Sequence, residues 1–247
     1  MRVTLQPAFV LHSRPYRDTS AMLDVLTPEH GRISIVARGA RRQGKRGSEA
    51  ARLQPFSPLL LSFSGRTEMK TLTAVESAGA AFRLRGERLY SGMYLNELLV
   101  RLLHRNDPHP RLFAGYAAAL EDLGDNGTME LALRRFELLL IDELGYSFDM
   151  GCDAATGALI EPGARYCFDP SLGLVAAGGA RVAGRGSYRG EDIQRIAAGE
   201  LDGELRLPAR SLLREILSVH LGERPLRSRD LFLAHRAGRS GPKESTT

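Results

Sequence analysis

The feature that most constrains this chain is a change of hydrophobic period near residue 87. Before it, apolar residues fall in five short runs, 8–11, 21–26, 32–36, 58–63 and 69–73, with turn formers at 18–20, 28–31 and 64–66. Five short strands in so little chain suit a small closed β-barrel. The OB-fold is the commonest such barrel that binds nucleic acid, and any other small barrel bearing solvated arginines fits the same pattern.

After residue 87 the spacing becomes helical. Leu89, Met93, Leu98, Leu99, Leu102 and Leu103 mark a helix that ends before Pro108. Leu112, Phe113, Tyr116, Leu120 and Leu123 mark a second, stopped at Gly124. Thr128 caps a third, which carries Leu133, Phe136, Leu139, Leu140 and Leu144 and stops at Gly145. Short connections between the three predict an antiparallel bundle. Residues 146–186 are Gly-rich and read as irregular. Helical pattern returns at 190–199, at 208–222 and from a Ser228 cap to 236, and the segment from 238 reads as a frayed tail. The expected fold class is α+β: a barrel over 1–80, a helical domain from 81–145 and 187–236, an irregular insertion over 146–186 and a disordered tail over 237–247.

Charge narrows the function. The net formal charge is +5, but residues 1–80 hold 12 cations against 6 acids, residues 81–160 hold 8 against 12, and residues 161–247 hold 14 against 11. Two basic ends around an acidic middle point to localised binding of a polyanion rather than general stickiness. Of 34 cations only Lys45, Lys70 and Lys243 are lysines. Arginine suits bidentate phosphate contacts, although genomic base composition also drives arginine usage.

The densest cationic stretch is residues 38–47, with five cations (Arg38, Arg41, Arg42, Lys45, Arg46), three glycines and no acid, directly after a strand-like run. It imitates a nucleotide-binding loop: Gly39, Gly44 and Lys45 match G-x-x-x-x-G-K. Arg46, however, stands where Ser or Thr would hold magnesium, and residues 47–52 allow at most one short turn before Pro55. A phosphate clamp fits better than an ATP site, because a P-loop needs a helix start aimed at the phosphates. The second basic cluster is Arg224, Arg227 and Arg229, beside the Ser228 cap. Cations next to free helix-start N–H groups suit a backbone phosphate, and a solvated interhelix loop is the alternative.

Other chemistry finds little support. Cys152 and Cys167 supply only two thiolates and lack Cys-x-x-Cys spacing, so no metal or cofactor is expected. No hydrolytic or redox motif is present, and the six histidines are scattered. His12, near Arg14 and Arg17, either touches nucleic acid or is solvated. No apolar run is long enough to span a membrane, no signal-peptide pattern opens the chain, and the two cysteines form no disulfide framework, so a cytoplasmic, nucleoid-associated protein is expected.

Several blocks together resemble the RecO family. They are residues 8–15 with Thr19-Ser20 and Leu23-Asp24, Gly31-Arg32, 37–41, 53–56, 89–92, 94–98, 133–137, and 221–229. They run in the family's order over about residues 6–233. The resemblance implies an N-terminal OB-fold, a helical domain and a small region that in many relatives binds zinc through four cysteines. This chain keeps two of the four, so zinc is not carried over. It further implies a mediator of recombination in bacterial DNA repair. Such a protein binds single- and double-stranded DNA, anneals complementary strands and associates with RecR. It docks on the C-terminal tail of single-stranded-DNA-binding protein (SSB) and helps RecA load.

On that reading Arg14, Arg17, Arg38, Arg41, Arg42, Lys45 and Arg46 neutralise phosphates without catalysis, joined by Arg224, Arg227 and Arg229. Phe9, Tyr16 and Phe63 are the candidate stacking platforms. Arg134 and Arg135, the one adjacent basic pair of the acidic middle, are candidates for the acidic SSB tail; a pair bridged to Glu130 or Glu137 is the alternative. Two other function classes remain open: a P-loop-like nucleotide hydrolase using Lys45, and an RNA-binding OB module.

Overall fold

The computed structural model describes residues 1–42, 49–124, 127–145, 149–178 and 186–239. It divides into two compact units, Met1–Asn126 with Arg224–Thr247, and Gly127–Glu223.

The first unit is built on a closed barrel of five strands: β1 (Arg2–Tyr16), β2 (Ser20–Thr27), β3 (Gly31–Ala37), β4 (Leu59–Ser64) and β5 (Met69–Ser77). Their order is β1-β2-β3-β5-β4, with β1 pairing back on β4. The β3–β5 pair is parallel and the others antiparallel, which is an OB-like topology. Alternation places Ala8, Val10, Leu23, Val25, Ile33, Ile35, Leu61 and Phe63 inside, all nearly or fully buried.

β1 is far longer than the run at 8–11 suggested, because it serves two partners. Its first half pairs with β4 and its second half with β2. Leu5, with φ of 52°, and a register shift between Val10 and His12 bend it around the barrel. Polar residues at both ends hide that length from a hydrophobic pattern.

Two helices, α1 (Glu87–Leu102) and α2 (Pro110–Gly124), cover part of the outer barrel face. Phe9 packs on Phe113 and edge-on to Tyr116, at centroid distances of 5.3 and 5.1 Å. Asn96 donates to the Leu11 carbonyl at 2.9 Å and accepts from the Tyr116 hydroxyl, giving the seam a satisfied polar centre. Burial pushes the Tyr116 phenol far up, beyond what its bond to Asn96 recovers, so it stays a donor. Gly31 is required where β3 begins. Its φ is +61°, and a Cβ there would strike the Asp107 backbone.

The sequence grouped the first three helices together, but the contacts divide them. α1 packs on α2 and on α6 (Arg227–Arg239), whereas α3 (Met129–Glu143) packs on α5 (Arg206–Leu221) in the second unit. The stretch expected to be irregular, 146–186, contains β6 (Arg165–Asp169) and β7 (Gly173–Ala176), which join β8 (Ser187–Arg189), just beyond it, in a three-stranded sheet of order β7-β6-β8; α4 (Gly190–Ala197) follows. Strands of three to five residues are too short for alternation to stand out from the surrounding turns. Asp153 orders the neighbouring turn by accepting from Ala155 N–H at 2.8 Å and Ala176 N–H at 3.2 Å. No helix among the described residues is long and apolar enough to cross a membrane.

Candidate nucleic-acid interface

One end of the barrel opens into a depression of about 730 Å³. Three turns build it: residues 17–19 between β1 and β2, residues 38–42 after β3, and residues 65–68 between β4 and β5. Its cationic lining is Arg17, Arg38 and Arg42, with Tyr16, Thr19, Thr67, Met69 and Thr71 beside them. An OB-fold offers ligands this kind of position, between the first and the last of its barrel loops.

The 38–42 turn is fixed by its backbone while its guanidiniums stay outside. Arg41 N–H donates to the Thr19 carbonyl and Arg42 N–H to the Gly39 carbonyl, both at 2.9 Å, and Ala40 is buried. Gly39 supplies the left-handed conformation, φ +68°, that lets the chain leave β3. Arg38, Arg41 and Arg42 are exposed, as are Arg14 and Arg17. Among the described residues none of Arg17, Arg38, Arg41 and Arg42 forms an ion pair with an acid. Arg17 holds a left-handed backbone, φ 52°, with its guanidinium 5.3 Å from the centre of the Tyr16 ring. Arg14 lies against the Met22 sulfur at 3.0 Å.

Lys45 and Arg46 lie outside the described residues. After them, Glu49–Ala51 forms a single 3₁₀ turn rather than the helix a nucleotide loop requires. Lys70 is not a ligand group either: it is 9% exposed, and its ammonium donates to the Thr67 carbonyl at 2.7 Å.

Two of the three stacking candidates are corrected. Phe9 and Phe63 are 3% and 0% exposed, Phe9 under α2 and Phe63 in the barrel core. Alternation does not reveal that α2 covers the outer face at Phe9, whereas Phe63 lies on the inward face of β4, where alternation itself places it in the core. Tyr16 alone, half-buried, lines the depression.

The second basic cluster behaves differently. Arg224, Arg227 and Arg229 are exposed. Yet the α6 amides expected to be free are taken by Glu97, which accepts from Arg227 N–H at 3.0 Å, Ser228 N–H at 2.9 Å and Ser228 Oγ at 2.7 Å. Ser228 therefore does not cap the helix; a carboxylate from α1 does. Burial alone would raise the Glu97 carboxyl, but the bonds from Ser228 and Arg227, with Arg101 close by, hold it below the usual carboxylate range. Arg101 also donates to the Arg224 and Pro225 carbonyls at 2.8 and 3.3 Å.

The middle pair is split by α3. Arg134 is 8% exposed and bonded to Glu137 at 2.6 Å, while Arg135 is exposed. Glu130 is held instead by Arg206 and Arg210 of α5, at 3.1 and 3.6 Å. Cys167 is buried in β6, and the Cys152 thiol, bonded to Asp149, is pushed up in pKa, which opposes the thiolate a metal needs.

Sequence reasoning missed Arg105. In the α1–α2 connection it donates to Ser34 Oγ on β3 and pairs with Asp24 on β2 at 3.4 Å, where Arg32 also reaches Asp24 at 3.5 Å. Only the fold brings that loop to the barrel, so no local signal marks the residue.

Family comparisons agree with this architecture. Models described as Recombination protein O N terminal and Recombination protein O C terminal match residues 1–81 and 83–230. Similar curated proteins include DNA repair protein RecO of Nitrosococcus oceani, 46% identical over 233 residues that cover 94% of each chain. DNA repair protein RecO of Nitrosospira multiformis is 42% identical over 94% of this chain and 95% of its own, and that of Methylococcus capsulatus 43% over 94% and 93%. The division of the chain into barrel and helical parts, the order of both matches and the depth of identity lead to one conclusion: the chain belongs to the RecO family of DNA repair proteins.

Proposed function

We propose that this protein is a recombination mediator that binds DNA by charge, pairs complementary strands and consumes no fuel. The observation that carries this reading is the depression at the barrel end, rimmed by Arg17, Arg38 and Arg42 and fixed by backbone hydrogen bonds. Pairing two strands is opposed by the repulsion of two polyanions. Cations set on a rigid rim hold one backbone while a second approaches, which lowers that barrier electrostatically. With Tyr16 as the one platform at the rim, charge outweighs stacking.

The family resemblance extends the reading to partners. The protein would act with RecR, engage the SSB tail and assist RecA on SSB-covered single strands. For the acidic tail, Arg135 is the exposed cation of α3, while Arg134 acts through its bond to Glu137. Arg224, Arg227 and Arg229 would add side-chain phosphate contacts, without help from helix amides.

Annealing of matched oligonucleotides at low ionic strength tests the proposal. Acceleration over buffer is expected, with no nucleotide added and with ATP turnover no higher than in protein-free buffer. Annealing no faster than buffer would overturn it.

A further inference from the structure

We propose that Arg105, which lies outside the barrel sequence, is a phosphate-binding residue for single-stranded DNA, and that it carries the binding surface from the barrel-end depression onto the outer face of β2, β3 and β5. This rests on the reading above that the depression binds DNA.

The register defines that face. With Leu23, Val25, Ile33 and Ile35 pointing inward, Met22, Asp24, Ser34 and Val36 point outward. One row across the sheet reads His12, Asp24, Ser34, Met69; the next reads Arg14, Met22, Val36, Thr71. Beyond them the Phe9–Leu26 row lies under the helices, where Phe9 meets Phe113 and Tyr116. Arg105 stands at the border between covered and open face. It forms a β-bridge with Arg32, and its neighbour Asn106 donates N–H to the Arg32 carbonyl at 3.0 Å.

Three observations assign it to a ligand rather than to the fold alone. Arg32 already compensates Asp24 and is itself held by the Leu103 carbonyl, so Arg105 is a second cation on one carboxylate and leaves a positive charge over. The Arg105 side chain is 42% exposed although two partners fix its direction, so it is preorganised as well as accessible. The two sites are also adjacent, because Met69, 43% exposed, lines the depression and pairs in register with Ser34, which lies buried and accepts from Arg105. Along β3, Arg38 and Ser34 are about 13 Å apart at the strand rise, room for a few nucleotides.

Binding of labelled oligo-dT, followed by anisotropy across a salt series, tests this. Arg105→Ala should flatten the log–log salt slope by about 0.7, the loss of one phosphate contact. If that variant melts early, Arg105→Gln keeps a hydrogen-bond donor for Ser34 without the charge, and the same flattening is expected. An Arg105→Gln slope equal to that of the unsubstituted protein overturns the assignment. Arg38→Ala measured alongside separates the two claims: if it flattens the slope and Arg105→Gln does not, the depression binds DNA without this extension. If neither does, the reading of the depression itself fails.

Discussion

The cationic turn after β3 and the cationic stretch before α6 look alike as sequence, and the structure treats them oppositely. Around Arg38, Arg41 and Arg42 the backbone bonds are internal to the barrel rim, and the guanidiniums face outward without acidic partners among the described residues. Around Arg224, Arg227 and Arg229 the helix-start amides, which would have strengthened an anion site, are bound by Glu97. Equal charge therefore does not mean equal site. What decides is where the nearest carboxylate stands: among the described residues none pairs with the rim arginines, whereas Glu97 occupies the start of α6 between the other three.

The largest test of that contrast is Glu97→Ala. Three hydrogen bonds to a half-buried carboxylate vanish, and the start of α6 is left unpaired, so the loss should be about 3 kcal/mol in thermal or denaturant unfolding. A loss below about 0.5 kcal/mol would mean that the amides are not committed, and the contrast would collapse.

Next comes the rim. Alanine at Arg38, Arg41 and Arg42 together should flatten the salt slope of oligo-dT binding by about 2, roughly tenfold in affinity or more at low salt, with little change in melting. The same replacement at Arg224, Arg227 and Arg229 should cost less. Equal losses would make the two clusters equivalent.

Acid sharpens the comparison further. Because the native Glu97 pKa is depressed, its contribution is complete above the ordinary value of 4.5 and is lost as pH falls through the lower native value. Protection of the α6 amides, corrected for intrinsic exchange, should fall as pH drops through that range, while Glu97→Gln removes the dependence. Corrected protection that ignores pH there would discharge Glu97 from the role.

The smallest effect is expected at Arg17→Gly. Relieving a left-handed arginine is worth about 1 kcal/mol, partly offset by the chain entropy of glycine. Melting should therefore hold or rise slightly, while the salt slope flattens by about 0.7. A marked loss of stability would show that Arg17 braces the turn.

Much of this was legible from local pattern. Pro108, Gly124 and Gly145 announce where helices stop, and the uncompensated arginines after Val36 announce the rim. What escaped depends on distant partners. Phe9 is buried by residues more than a hundred positions away, the α6 amides by Glu97, and Arg105 matters only because Gly31 lets the Asp107 backbone approach. Arg134 and Arg135 make the point at closest range. They are adjacent, with identical chemistry, and the helical turn of 100° sends one inside and leaves the other out.

The grip of Glu97 and Arg101 on residues 224–228 also bears on how the molecule is made. The barrel and α1 leave the ribosome early, but the helix that covers Tyr90, through Phe232 and His235, is translated long after them. Until then α1 presents to solvent an aromatic flank at Tyr90 and, at Glu97, a carboxylate without its α6 donors. A stop codon ahead of α6 would consequently damage the barrel unit that had been synthesised first.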